Sequence, residues 1–244
     1  MSLPSDRPLQ KLQFYVTSGY NCGYLPNKLA QSLIAAPQHL VNANVYNSLI
    51  QQGFRRSGKF AYRPHCENCK ECVPVRIVVN DFTPNRSQKR AFKQHQNLTA
   101  TILPVDFYEE HYTLYAAYQR TRHSDQIKPD TNAEENDIAQ YRNFLCQTNV
   151  ESVMVEFKDA HGLRMVSVID IVQDGISAVY TFYDTSDEKA SYGTYNVLWQ
   201  TEWTKSLGLP YLYLGYWIKD SRKMAYKQNY RPLEKLIDGE WVIK

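Results

Sequence analysis

The part of this chain that most restricts its fold lies beyond residue 150, where strand-sized runs and turn signals alternate at short intervals. Ser152–Phe157, Met165–Val172 and Ile176–Tyr183 are rich in β-branched and aromatic residues, and Asp159-Ala160-His161-Gly162 and Asp174-Gly175 separate them. Runs of this length joined by such tight connections predict three consecutive antiparallel strands. Tyr195–Ser206 then reads as a helix stopped by Gly208-Leu209-Pro210, and Tyr211–Ile218 as a buried strand. Met224–Gln228 is a short helical turn closed by Asn229. Meander, loop, helix, buried strand and helix in that order predict an α/β (α+β) fold built on a mixed sheet.

Upstream, Leu29, Leu33 and Ile34, then Val45, Leu49 and Ile50, recur at three- and four-residue spacing, which predicts helix across 27–52 with Gly53 as its stop. Val75–Val79 reads as a short strand, Pro84–Gln96 as a charged helix, and Phe107–Arg122 as a helix carrying Tyr108, Tyr112, Tyr115 and Tyr118. A break around Leu103-Pro104 divides the expectation into an N-terminal cysteine-containing basic module, 1–104, and a catalytic core, 105–244.

That first module holds a Cys-x2-Cys-x2-Cys run, Cys66, Cys69 and Cys72. Three thiols so close together point to a soft metal rather than to disulfides outside an oxidising compartment. A tetrahedral site needs a fourth ligand. Cys22, in the turn-like Asn21-Cys22-Gly23-Tyr24-Leu25-Pro26, is the first candidate and His65 the second. Zinc and an iron–sulfur cluster both accept four thiolates, and spacing does not separate them; three reduced cysteines without a metal are the other reading. Cys146, beside Phe144 and Leu145, reads as a core thiol.

The 244 residues suffice for one large or two small domains, and 43% apolar with 22% charged content is ordinary for a folded chain. The apolar runs are strand-sized and Met1–Arg7 lacks an apolar export segment, so no membrane span and a cytoplasmic location are expected. The net charge of +3 hides two blocks of opposite sign. Ten Lys and Arg face three acids between Arg55 and Lys93, whereas ten acids face four bases between Asp106 and Glu156. This fits a polyanion bound on one surface and a second partner elsewhere, or simply a solvated basic face.

Several of these segments together resemble the arginyl-tRNA–protein transferase family. Cys22-Gly23-Tyr24-Leu25-Pro26, Gly53-Phe54-Arg55-Arg56-Ser57-Gly58, Tyr62-Arg63-Pro64, the cysteine triplet, Pro74-Val75-Arg76 and Pro84-Asn85-Arg86-Ser87-Gln88 are similar to its N-terminal region. Arg120-Thr121-Arg122-His123, Ser191-Tyr192-Gly193-Thr194-Tyr195, Tyr213-Leu214-Gly215-Tyr216-Trp217-Ile218 and Met224-Ala225-Tyr226-Lys227 are similar to its C-terminal region. The Leu25-Pro26 form and the spaced triplet resemble the bacterial branch, the aspartate/glutamate leucyltransferases. What this implies is transfer of leucine from leucyl-tRNA to proteins with an acidic N-terminal residue, which marks them for degradation. Relatives that transfer arginine carry a Cys-x-x-Cys pair where this chain has Cys22 and Leu25, which weakens the implied ligand set. The element order beyond residue 150 is also similar to an acyl-CoA N-acyltransferase (GNAT-like) core.

The implied reaction is attack of an α-amine on an activated ester. An α-amine with a reference pKa of about 7.7–8.0 is partly neutral near pH 7–8. Positioning, an oxyanion donor and a proton relay then suffice. An acidic acceptor calls for a buried cation, with Arg76 first and Arg56, Arg120 and Lys227 following, although any one Arg could equally serve a surface ion pair. Tyr192 and Gly193, opening a helix, would present backbone N–H groups to the ester, and Tyr192, Tyr213 and Tyr216 would stack the 3′ adenosine. Tyr213 and Tyr216 could also be core aromatics. Asp184, His123 and Glu202 are the candidate proton carriers, although Glu202 reads more readily as an ordinary helix-surface carboxylate. Arg86, Lys89, Arg90 and Lys93 would follow the tRNA backbone. The turn lacks the Arg/Gln-x-x-Gly-x-Gly/Ala pattern of coenzyme A binding, since Ala190 and Tyr195 occupy key places. Arginyl transfer, a CoA-dependent N-acetyltransferase and a non-enzymatic RNA-binding module remain the alternatives.

Overall fold

The computed structural model describes residues 11–122 and 133–243. Its elements are β1 (Gln13–Val16), β2 (Tyr20–Asn21), β3 (Leu29–Ala30), β4 (Ser32–Ala36), α1 (Ala43–Gln51), β5 (Arg55–Ser57), β6 (Phe60–Pro64), β7 (Val73–Val78), α2 (Arg86–Gln94), β8 (Thr99–Pro104) and α3 (Glu109–Arg122). There follow α4 (Ala133–Leu145), β9 (Ser152–Asp159), β10 (Gly162–Val172), β11 (Gly175–Tyr183), α5 (Tyr192–Ser206), β12 (Tyr211–Trp217), α6 (Arg222–Ala225), β13 (Leu233–Ile237) and β14 (Glu240–Ile243).

An eight-stranded mixed sheet in the order β14-β13-β7-β12-β11-β10-β9-β8 organises the chain. The predicted meander is present as β9, β10 and β11, and α5 returns the chain so that β12 runs parallel to β11. That is the one parallel pair described in the sheet; every other described neighbour is antiparallel. The sheet draws strands from both sides of residue 104. β7 lies between β12 and β13, and β8 forms the far edge against β9. A four-stranded sheet, β1-β4-β6-β5, and the small β2-β3 pair make up the rest.

The helix expected across 27–52 is present only as α1. Leu33 and Ile34 lie instead in β4, opposite Val16 and Tyr15 on one side and Arg63 and Tyr62 on the other. Their spacing from Leu29 imitates a helical stripe, but partners distant in sequence decide the local state. α1 begins where Asn42 can cap it, its side chain accepting the Val45 N–H at 3.1 Å. α2 carries a complete capping box between Asn85 and Gln88.

Three clusters of buried side chains form the core. One lies between the large sheet and α5, another beneath α3 and α4, and a third joins α1 and the four-stranded sheet to Val172 and Tyr213. The second cluster absorbs much of the tyrosine excess, with Tyr112, Tyr115 and Tyr141 packed around Phe182.

Polar bonds join the four-stranded sheet to the large one at β5. Successive residues of a strand face opposite ways. Arg56 is buried against Asp170 of β10, with Nη2 2.6 Å from Oδ1 and Nε 3.0 Å from both carboxylate oxygens. Its Nη1 donates to the carbonyls of Gly58 and Gln147, and Ser152 Oγ donates to Asp170 at 2.6 Å. Burial, which opposes the charge, is outweighed by Asp170, so Arg56 holds its proton more tightly than usual.

Removing one partner of such a buried pair leaves the other charge uncompensated. Arg56→Met or Asp170→Asn is expected to cost about 3–5 kcal/mol in urea unfolding, and the double replacement Arg56→Met/Asp170→Leu less than the sum of the singles. Single variants within 1 kcal/mol of the parent would show that the two sheets do not depend on this contact.

Candidate active site at the parting of the two parallel strands

β11 and β12 pair only from Gly175–Ser177 against Tyr211–Tyr213, and beyond that point they share no ladder. A bulge turns β12 away, its register against β7 shifting between Tyr213 and Gly215. Gly215 has φ of +78°, a region open chiefly to glycine, and a Cβ there would lie 2.5 Å from Arg55 Nη1. Just past the paired stretch β11 bulges against β10 at Val179, and Arg55 reaches the carbonyls there. Its Nη2 donates to Ala178 O at 2.5 Å and Val179 O at 3.1 Å. Its Nη1 is buried with no partner among the described residues.

On the other wall, Lys227 follows α6 and is 6% exposed. Its Nζ donates to the Tyr216 carbonyl at 2.7 Å and toward Met224 Sδ at 3.5 Å. Burial and the charge of Arg55 bring its pKa down to about 7, partly opposed by Cys72.

Crevices at the carboxyl ends of parallel strands are where open sheets hold ligands. Here that end is bordered by the first turn of α5. Ser191 caps α5 in a left-handed conformation, φ 57°, its hydroxyl donating to Lys189 O at 3.3 Å rather than accepting from the helix. The Thr194 and Tyr195 N–H groups return to Ser191 O, and the N–H groups of Tyr192 and Gly193 precede the first intrahelical donors. Gly193 is open, since a Cβ there would meet only the Tyr183 ring at 3.9 Å. Rings lead away from this turn in series. Tyr192 stacks on His95 with centroids 4.4 Å apart and lies 5.9 Å from Tyr183, which in turn is 5.1 Å from Tyr118. His95 is buried and bonds the Ala190 carbonyl, holding the approach to α5. The guanidinium of Arg122 lies 5.9 Å from the Tyr183 ring.

Two cavities open here. One of about 450 Å3 lies between α2 and the start of α5, lined by Arg90, Lys189, Ser191, Thr194 and Tyr226. A larger one of about 1150 Å3 lies between the Cys22 loop, the cysteine triplet and the end of β12, with Tyr24, Tyr62 and Tyr216 on its walls.

The residues singled out from sequence are distributed unevenly around this geometry. Tyr192, Gly193 and Lys227 border it. Asp184 follows β11, accepting from Arg164 at 2.7 Å and from the Ser186 N–H at 2.9 Å. Although burial raises its pKa, those donors hold it below the usual value, which suits an anchor better than a proton carrier at neutral pH. Glu202 is exposed beside Lys205, about 15 Å along the helix from Tyr192. Arg120 is exposed on the last turn of α3. His123 lies outside the described residues.

Arg76 and Arg56 are already engaged. Arg76 Nε contacts Glu234 at 2.6 Å, Nη1 bonds Tyr213 Oη at 2.9 Å and Gln51 Oε1 at 3.1 Å, and Asp174 lies at 3.7 Å. Its guanidinium also lies 3.5 Å from the Tyr211 ring centroid and 4.3 Å from that of Trp241. Tyr213 is therefore a core residue with its hydroxyl committed to this network. Tyr216 is buried, donating to Gly53 O at 2.9 Å, though it also lines the larger cavity.

Arg86, Lys89, Arg90 and Lys93 are all exposed on α2, while Gln88 and Ala91 face the protein. Cys22, Cys66, Cys69 and Cys72 line the larger cavity, each half-buried and unpaired. Burial and the other three thiols push Cys72 up to about 12. The chemistry of these donors suits zinc or an iron–sulfur cluster, but their placement does not. Among the described residues no three Cys, His, Asp or Glu side chains are positioned to hold a metal ion together. No step below is routed through one.

Sequence reasoning did not assign roles to Arg55, Tyr183, Tyr226, Arg122 or His95. Only Arg55 left a usable signal, because adjacent arginines on one strand must face opposite ways.

Comparison with known proteins agrees with this layout. Residues 20–90 match the model of the arginine-tRNA-protein transferase N terminus, and residues 110–237 match that of its C terminus. A protein of Methylobacillus flagellatus named aspartate/glutamate leucyltransferase is 62% identical, covering 99% of this chain and 95% of its own length. A protein of the same name from Thiobacillus denitrificans is 52% identical, covering 98% and 97%. Solved structures resemble it only distantly. L-PGS from Bacillus licheniformis has 13% identity and a TM-score of 0.44 over 62% of this chain and 48% of its own. FemX has 7% identity and a TM-score of 0.41 over 86% and 81%. With both halves matched in order and close relatives aligned over almost their whole length, the chain belongs to the arginine-tRNA-protein transferase family.

Proposed function

We infer that this chain transfers leucine from leucyl-tRNA to the α-amine of proteins that begin with Asp or Glu, creating a destabilising N-terminus for degradation in the cytoplasm. The observation that carries this reading is the 62% identity to an aspartate/glutamate leucyltransferase across 99% of the chain. The choice of leucine over arginine rests on the names of such relatives. Among the described residues no helix is long and apolar enough to cross a membrane.

The geometry suits the reaction. The donor ester is activated, so the enzyme need form no covalent intermediate with leucine. Its main task is to hold a neutral amine against the carbonyl, a step in which positioning alone contributes several kcal/mol, up to about 7–11 in the best-oriented cases. The Tyr192 and Gly193 N–H groups at the start of α5 are the donors for the oxyanion that forms when the amine adds, and the open side of Gly193 lets the ester approach the backbone closely. When the tetrahedral intermediate collapses, the C–O bond to the tRNA ribose breaks, the peptide bond remains, and the proton from the amine ends on the released hydroxyl or solvent. The Tyr192–His95 stack keeps the turn rigid while this happens.

The basic face of α2 runs beside the smaller cavity, with Arg90 on its wall, so it can guide the acceptor arm of the tRNA to the start of α5. These cations touch backbone phosphates rather than bases, which gives affinity without sequence preference.

Purified protein supplied with labelled leucyl-tRNA and an Asp-initiated peptide should produce the leucyl-peptide. Labelled arginyl-tRNA and acetyl-CoA serve as parallel donors. Transfer of arginine instead would overturn the donor assignment, transfer of acetyl would overturn the class of reaction, and transfer from none of them would leave an RNA-binding module. Replacing Arg86, Lys89, Arg90 and Lys93 one at a time by Gln should weaken leucyl-tRNA binding and lower the slope of log affinity against log salt by about 0.7–0.9 for each phosphate no longer neutralised. An unchanged slope in all four would place the tRNA on another face.

A further inference from the structure

Among the described residues, the two buried arginines both meet carboxylates, Arg56 with Asp170 and Arg76 with Glu234 and Asp174, and half-buried Arg55 is an exception to them. Arg55 meets no carboxylate. It bonds two backbone carbonyls through Nη2 and leaves Nη1 buried and unpartnered. Lys227 repeats the exception, buried with a carbonyl and a thioether as its partners. The two meet at the bulge of β12, where Arg55 Nη1 lies against Gly215 and Lys227 Nζ bonds the carbonyl of the next residue, Tyr216. A guanidinium and an amine brought together with little water and no counter-charge are costly to keep charged, and a fold that retains them has a use for an incoming anion.

Their place in the fold narrows the identity of that anion. Tyr216, whose carbonyl holds Lys227, lines the cavity of about 1150 Å3, and Tyr226, whose ring centroid is 6.0 Å from Lys227 Nζ, lines the cavity of about 450 Å3. The pair thus stands behind wall residues of both cavities, and a reaction with two macromolecular substrates requires two entrances that meet. The smaller one adjoins the basic face of α2 and the start of α5. The larger remains for the protein N-terminus.

We propose that Arg55 and Lys227 form the seat for the acidic side chain of the acceptor, reached through the larger cavity and set between the parted strands β11 and β12. This rests on the leucyl-transfer reading above and adds to it the residues that select the acceptor. A carboxylate suits the seat better than a phosphodiester. Cations that follow a nucleic-acid backbone stand exposed in a row, as on α2, whereas these are withdrawn behind tyrosines. The free donors, Arg55 Nη1 and the remaining Lys227 N–H, match the two oxygens of one carboxylate. With the side chain held there, the acceptor α-amine, only a few bonds away, is left to face the ester at the start of α5. Asn and Gln, equal in shape but uncharged, would leave the guanidinium uncompensated and Lys227 without the partner that favours its charged form.

The test compares kcat/KM for two peptides that differ only in beginning with Asp or Asn, using the full-length protein and leucyl-tRNA. A charge-assisted hydrogen bond corresponds to roughly 10–100-fold in the Asp-to-Asn ratio. Lys227→Met and Arg55→Met should each reduce that ratio by about tenfold or more, through KM for the Asp peptide, while leucyl-tRNA affinity stays within about twofold. Arg55→Lys, which keeps the charge, should retain more of the ratio than Arg55→Met. Arg55 also bonds β11, so if its variants fail to fold, the Lys227→Met result decides. Equal losses on both peptides with the ratio intact would reduce the pair to a structural role and overturn the proposal. A fall in tRNA affinity with the ratio intact would assign the pair to a phosphate and overturn it equally. Failure of the unaltered protein to leucylate the Asp peptide is a separate result, which overturns the leucyl-transfer reading itself.

Discussion

The bidentate contact between Arg56 and Asp170 is the constraint on which the rest of the arrangement depends, because it fixes one sheet of the protein against the other. Arg56 belongs to a three-residue strand and Asp170 to the long central strand of the meander, 114 residues further on. Every hydrogen-bonding group of that guanidinium is used, by Asp170, by two backbone carbonyls and at longer range by Ser152. A pair so fully bonded adds little net stability compared with an apolar replacement, but it allows only one seating of β5 on β10. That seating sets the position of Arg55, whose side chain leaves the opposite face of the same strand.

From there the geometry of the large sheet produces the site. Two parallel strands that stay paired offer no room between them, whereas β11 and β12 part after three residues of pairing. The bulge at Gly215 and its positive φ turn β12 aside, and the absent Cβ leaves space for the Arg55 guanidinium. The carbonyls of Ala178 and Val179 lie beyond the stretch paired with β12, at a bulge of β11 opposite Val168 and Ile169, and Arg55 Nη2 bonds both. The crevice is therefore closed at its base by a cation from one sheet and bordered by a helix start from the other.

Much of this was legible in the sequence where local rules governed. Short turns force neighbouring strands, so the meander of β9, β10 and β11 followed from spacing alone, as did α5 and the buried β12. The basic face of α2 and its capping box are likewise written in adjacent residues. What sequence did not disclose depends on distant partners. Leu33 and Ile34 carry helical spacing yet lie in a strand, because Tyr15 and Tyr62 lie across from Ile34. Arg76 has the sequence setting of a specificity residue, but Glu234, 158 residues away, occupies its Nε. The cysteine triplet suggested a metal site by its spacing, but spacing in sequence does not fix how the four thiols stand relative to one another.

Arg55 and Arg56 show how one short strand can hold two arginines of opposite use. Both reach into the interior, and both bond backbone carbonyls. They differ in that Arg56 finds an internal carboxylate and Arg55 does not. An arginine with its own carboxylate is closed to a substrate, since displacing Asp170 would strand a buried charge. An arginine without one has an affinity still to be met. In an enzyme that must recognise Asp or Glu but not Asn or Gln, that unmet affinity is the property selection requires, because charge is what separates these otherwise similar side chains. The same reasoning explains why the seat is withdrawn from solvent. In water the attraction between a guanidinium and a carboxylate is weak, and only where tyrosine walls exclude most of the water does one charge become a usable basis for choosing an acceptor.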